Sequence, residues 1–201
     1  MTIQFPIGWV LRASTVGFAV GCRILQPNTP HFGDLVKVPG QPNGIDVFGL
    51  IYNVEVRDDP AVRQLILVGE MEPEAVLDQR ENRLVPIELS VLAVGYQQGK
   101  TMIQGLPPQP PLSLDTLTVS EELEVVRFTE NLDYLRLVLN SAQIPSDELL
   151  VANLRRATLA RSPDQQYPFL LRAGRELARL LNTDLTRLEA ILHRLKTVIS
   201  Q

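Results

Sequence analysis

A phosphate-binding loop is the first chemistry the residues invite. Gly99-Lys100-Thr101 carries the Gly-Lys-Thr that ends such a loop, where backbone N–H groups cradle phosphates, the lysine reaches them and the hydroxyl holds magnesium. The loop also needs a glycine five residues before Gly99; Val94 stands there, and Gly95 is one place off. The residues before Gly99 read as a strand and no helix pattern follows, so a turn between two strands is expected instead. His31, near Asp34, and His193 are too far apart in sequence to form a clustered ligand set. His31 reads as a loop residue before a strand, and His193 as a polar residue beside a leucine stripe. Asp58-Asp59 precedes Pro60 as a helix start does. Glu70, Glu72 and Glu74 read as an exposed acidic loop or the beginning of a helix. Cys22 is the single cysteine, which rules out an internal disulfide and leaves a cysteine-based zinc site without partners. It alternates with apolar residues and reads as an inert buried thiol. Neither a Gly-x-Ser-x-Gly elbow nor a His-Glu-x-x-His helix occurs. No catalytic, cofactor-binding or metal-ligating residue is therefore assigned, and no cofactor is expected.

Binding chemistry gathers at the C-terminal end. Residues 1–149 hold 19 acidic against 10 basic residues, net −9, whereas residues 150–201 hold 4 against 9, net +5. Such a split suggests two surfaces with different partners, or head-to-tail self-association. Between Arg175 and Leu195 the pattern suits a helix-turn-helix. Ala178 falls where a close helix approach wants a small residue, and Asn182 at the turn, where αL is tolerated. Leu188 and Ile191 would point inward, and Thr186, Arg187, Ala190 and Arg194 toward a groove. Phosphate contact would then fall to Arg155, Arg156, Arg172, Arg179, Thr186, Arg187 and Arg194. Any two-helix hairpin shows the same leucine periodicity, and Glu189 interrupts the groove face.

The elements that must position these residues change character along the chain. Hydrophobic residues make up 45% and charged residues 21% of 201 residues, enough apolar matter for a packed core and too little charge for global disorder. No apolar run reaches the roughly 18 residues a membrane span needs. Met1 to Pro6 lacks a secretory pattern, so a cytoplasmic location is expected. The first half alternates with period two. From Gly17 to Leu25, Phe18, Val20, Cys22 and Ile24 share one face, opposite Ala19, Gly21 and Arg23. After Asp46, Phe48, Leu50, Tyr52, Val54 and Val56 share a face, with Gly49, Ile51, Asn53, Glu55 and Arg57 opposite. From Leu84 to Tyr96, Val85, Ile87, Leu89 and Val91 point inward against Glu88 and Ser90, with Pro86 marking an edge. Glycines in and beside these strands permit the bends that let a small sheet close.

A helical insertion is expected from Asp59-Pro60, with a second short helix over Glu72–Asn82. Four prolines between Pro107 and Pro111 read as an extended spacer. Beyond it the period becomes helical. Ser120 and Ser146 are expected caps, Leu132, Leu135 and Leu139 share a face, and helices are expected over Tyr167–Leu181 and Thr183–Ser200. Leu185, Leu188, Leu192, Leu195 and Ile199 form a stripe of two heptads, suited to packing on neighbouring helices.

Three segments carry a family resemblance: Ile7-Gly8-Trp9-Val10, Gly33-Asp34-Leu35-Val36-Lys37-Val38, and Val47-Phe48-Gly49-Leu50-Ile51-Tyr52-Asn53-Val54. With Val91 to Tyr96 and the following Pro107 to Leu112, residues 5–114 resemble the HAS-barrel, the small barrel at the N-terminus of HerA-type DNA translocases and of rotary ATP synthase α and β subunits. In those proteins the barrel forms a ring collar. The resemblance implies a barrel built for assembly. The ATPase core that follows it in HerA-type enzymes is not matched, since no Gly-x-x-x-x-Gly-Lys-[Ser/Thr] occurs, and no catalytic residue carries over.

The reading is thus an α+β chain: a HAS-like antiparallel β-barrel with a helical insertion over residues 1–104, a Pro-rich linker over 105–114 and an all-α domain over 115–201. The expected function is non-enzymatic, an assembly or adaptor protein that self-associates or docks to a protein partner. The alternative is a nucleic-acid-binding accessory factor in DNA processing, acting through the basic helices.

Overall fold

The computed structural model describes residues 6–22, 30–40, 44–56 and 87–196. The helices expected at Asp59-Pro60 and Glu72–Asn82, the acidic Glu70, Glu72 and Glu74, and Val85, Pro86 and Ile199 lie outside them. Among the described residues seven strands come first: β1 (Gly8–Ala13), β2 (Gly17–Cys22), β3 (Leu35–Val38), β4 (Ile45–Val56), β5 (Ile87–Gln98), β6 (Thr101–Ile103) and β7 (Thr116–Val119). Five helices follow: α1 (Glu122–Phe128), α2 (Tyr134–Leu139), α3 (Ser146–Leu159), α4 (Pro163–Leu180) and α5 (Leu185–Lys196). No described helix is long and apolar enough to cross a membrane.

The strands run in the order β2-β1-β7-β3-β4-β5-β6, antiparallel throughout, and β2 also pairs with β5. Six strands therefore close into a barrel, with β6 a short extension hairpinned onto β5. Closure leaves the six staves without a free edge. The curvature comes from irregularities in register: β1 bulges between Val10 and Arg12, and the β4–β5 pair shifts at Phe48/Gly49 and at Ile51/Asn53. Gly49 is required by close approach, since a Cβ there would sit 2.3 Å from Val91 Cγ1.

The interior is filled by Val10, Phe18, Val20, Leu89, Val91 and Leu117 together with neighbours of similar size. A second core lies outside the barrel wall, where Leu35, Phe48, Leu50, Leu92 and Val94 pack against Phe128, Tyr134, Leu150 and Phe169 of the helices. Each such side chain, fully buried, contributes about 1.5–3 kcal/mol. β4 and β5 are thus buried on both faces. This corrects the single apolar face read for β4. Phe48, Leu50 and Tyr52 do share a face, but it lies under the helices, while Ile51 fills the barrel. The bulge beside Tyr52 then returns Val54 to the interior cluster, and Val56 is left exposed. The inward set Ile87, Leu89 and Val91 on β5 is as expected.

A second correction concerns the boundary at the Pro-rich segment. β7 lies beyond it yet stands as a barrel stave, paired with β1 (Trp9↔Thr116) and β3 (Val36↔Val119). The segment over 105–114 lies against the barrel: Pro107 and Pro111 are buried, and Leu114 N–H donates to Val10 O at 2.8 Å. The expected caps also move. Glu121, not Ser120, precedes α1, with its N–H donating to Glu124 Oε2 (3.3 Å). Ser146 is the first residue of α3 rather than its cap.

Candidate functional site

Gly99-Lys100-Thr101 forms the expected hairpin turn between β5 and β6, with Gly99 at φ +60° and the Lys100 carbonyl accepting from Arg127 Nη2 (3.0 Å). Cys22 faces the barrel interior, where burial pushes its thiol up to about 11. His193 is exposed on α5, whereas His31 lies over Asp34 with Nδ1 3.7 Å from Oδ2. Among the described residues no group of three or more His, Cys, Asp or Glu is placed to hold a metal ion.

The polar groups that matter most lie in the seam between barrel and helices. Gly33 brings the chain under α3 at φ +87°, so close that a Cβ would stand 2.6 Å from Ala152 Cβ. Its carbonyl accepts from Asn153 Nδ2 (3.0 Å), and Asn153 Oδ1 accepts from Tyr134 Oη (2.7 Å). This fully buried chain couples α2, α3 and the approach to β3. Burial drives the Tyr134 phenol well above its ordinary range, so it stays a neutral donor. Asp34 comes next, nearly sealed from solvent. His31 N–H donates to its Oδ2 (2.8 Å), and Arg156 of α3 pairs with Oδ1. Burial pushes this carboxyl up, and the His31 N–H, Arg156 and the His31 ring pull it partly back. Beside it a cleft of about 220 Å³ is lined by Ser120, Val125, Asn153 and Leu159.

Arg161 performs the same kind of work between helices. It donates to Thr129 Oγ1 (2.7 Å) and to the Ala157 carbonyl, and its guanidinium lies 3.6 Å from the Phe169 ring centroid. Burial and the nearby Arg172 push it down to about 10. Tyr134, Asn153 and Arg161 are not marked in the sequence, since each sits in a helical pattern that gives no hint of its distant partner. Asp34 carried a visible clue: a carboxylate wedged between a glycine and an apolar strand.

Four of the seven residues read as nucleic-acid contacts lie in ion pairs. Arg156 is drawn to Asp34. Arg179 pairs with Glu176 one turn away (2.5 Å). Arg187 donates to Asp147 Oδ1 (2.8 Å) and Ser146 Oγ (2.9 Å), and Arg194 pairs with Glu148. The two groove-facing arginines of α5 are thus turned onto the acidic first turn of α3, where a helix N-terminus would otherwise hold bare carboxylates. Arg155 on α3, Arg172 on α4 and Thr186 on α5 are exposed. Arg172 lies 5.9 Å from the Phe169 ring. The hairpin α4–α5 is as expected in outline, but Asn182 is not left-handed and Ala178 is exposed. The close helix approach falls at Gly174 instead, whose missing Cβ would lie 3.6 Å from Leu192 Cδ2.

One barrel wall differs from the rest. The helices cover β3, β4 and β5, whereas on β1 the outward residues Trp9 and Leu11 are open to solvent. The chain at Ser113-Leu114 runs beside them, with Ser113 Oγ donating to Leu11 O (3.4 Å). Leu112 and Leu114 are exposed there too, and Leu114 holds φ at 72°, a left-handed conformation costly for leucine. A strained leucine kept in water beside the exposed outer face of β1 is suited to contact with another surface. No family model matches the chain, and no curated protein matches it significantly.

Proposed function

We propose that this protein is a non-enzymatic assembly module whose barrel docks to a protein surface through the β1 wall. The observation that carries the reading is the exposure of Trp9, Leu11, Leu112 and Leu114 on and beside β1, a wall that the described helices leave uncovered. Binding suits this architecture. Tyr134, Asn153 and Arg161 are hydrogen-bonded to groups that join the layers and Asp34 is paired with Arg156, although Asp34 Oδ1 and the buried Ser120 Oγ make no hydrogen bond.

Within that reading the barrel is of the HAS type. Support comes from the closed six-stranded antiparallel arrangement and from the place of Gly33-Asp34-Leu35-Val36-Lys37-Val38, which leads into and forms β3. The helices would serve as a rigid cap on the opposite wall. The nucleic-acid alternative has less to draw on, because Arg156, Arg179, Arg187 and Arg194 lie in ion pairs. The test is affinity capture by the full chain from a native lysate, beside Trp9→Glu. A protein retained by the wild type and lost by the variant is expected; equal capture by both would overturn the assignment of the wall.

A further inference from the structure

We infer that the occupant of the β1 wall is a second copy of this chain, joined across a two-fold axis. This inference rests on the docking reading above and names the partner.

The area is the first argument. Trp9 is 39% exposed, Leu11 50%, Leu112 63% and Leu114 76%. With roughly 150–250 Å² for a large side chain, these four expose roughly 450 Å², the scale of the largest apolar patch on a monomer. Two such patches face to face bury roughly 900 Å², and a polar rim brings the sum to the lower limit of stable interfaces, about 1,200 Å². An interface at that limit has the size of a reversible dimer, not of an obligate one.

Charge is the second argument. A surface that meets its own copy must not oppose like charges. Arg12 is neutralised by its pair with Glu88 (2.6 Å), and the Asp115 carboxylate, whose Oδ2 accepts from Leu112 N–H (2.7 Å), is the charge that the contact must keep at its wet rim.

Relief is the third. The strands on either side place Gly21 and Thr116 next to Trp9; Leu11 lies over Gly21, where a Cβ would stand 3.3 Å from Leu11 Cδ2, so the low ground beside the indole is on the Thr116 side. An isologous contact needs a projection and a depression on the same surface, each meeting its counterpart.

The chain has a single tryptophan, so the emission of Trp9 reports directly on this face. The experiment is sedimentation equilibrium with fluorescence on the full chain, from about 1 to about 500 μM, a range spanning micromolar association. A rise toward twice the monomer mass, with a blue shift of Trp9 emission over the same concentrations, is expected. Leu114→Lys and Trp9→Glu should raise the dissociation constant at least about tenfold, with circular dichroism and melting unchanged. Leu114→Lys keeps the test decisive if Trp9→Glu folds poorly. Monomer mass and constant emission throughout would overturn the inference while leaving the docking reading to the capture experiment. A dimer that forms without an emission change, or survives both substitutions, would also overturn it.

Discussion

Substituting Asn153 by alanine removes the middle of the chain that joins Tyr134 to Gly33. The Tyr134 hydroxyl loses its acceptor, the Gly33 carbonyl loses its donor, and a small cavity remains. Each orphaned buried group costs about 1–3 kcal/mol, and the cavity about 1 more, so Asn153→Ala should lose about 4 kcal/mol. Tyr134→Phe removes the hydroxyl alone, leaving Asn153 Oδ1 unpaired, and should lose about 1.5 kcal/mol. In the double variant no hydroxyl is left to orphan. Its loss should come to about 3 kcal/mol, against the more than about 5 that independent sites would give. For a chain of 201 residues, each kcal/mol moves the melting temperature by about 2–4 °C. Urea titrations followed by circular dichroism, with m-values compared across the four proteins, measure the cycle. Additivity within about 0.5 kcal/mol would refute the shared chain.

Two other perturbations address the same seam. Gly33→Ala would place a Cβ against Ala152 at a positive φ, and should lose about 2–4 kcal/mol in thermal melts. Adding Ala152→Gly removes the Cβ contact but leaves main-chain atoms of Ala152 and Asn153 at 3.0 Å, so it should recover only a part of the loss, and an unchanged melting temperature for Gly33→Ala would contradict the packing. Because burial raises the folded-state pKa of Asp34 above its unfolded value, ionisation there works against folding at neutral pH and ceases to do so below both values. Asp34→Asn should therefore melt no lower than the wild type near pH 7, with any advantage shrinking on acidification. A large loss near pH 7 would show that pairing with Arg156 outweighs desolvation.

Much of the barrel could be read from alternation alone. Phe18, Val20 and Cys22, and likewise Ile87, Leu89 and Val91, face the interior as period two requires. β4 escaped that reading because one residue is inserted beside Tyr52, and a pattern of period two has no means of counting an insertion. β7 escaped because four residues, Thr116 to Val119, give too short a run against the proline stretch before them and the acidic helix start after them. The seam was hidden for another reason. Tyr134 and Asn153 occupy ordinary helical positions, and the groups they bond become neighbours only once α2 and α3 lie across the barrel. The arginines looked like one basic face because sequence spacing places them on helices without revealing the carboxylates of α3 opposite.

The late stave has a consequence for synthesis. Until Val119 has left the ribosome, β1 and β3 each lack the neighbour that completes them, so the nascent barrel waits with a gap between two apolar strands. Contacts this remote in the chain form slowly, and an unfilled slot invites the wrong strand. Any fragment ending before Thr116 would carry that slot permanently, and aggregation would be its natural fate.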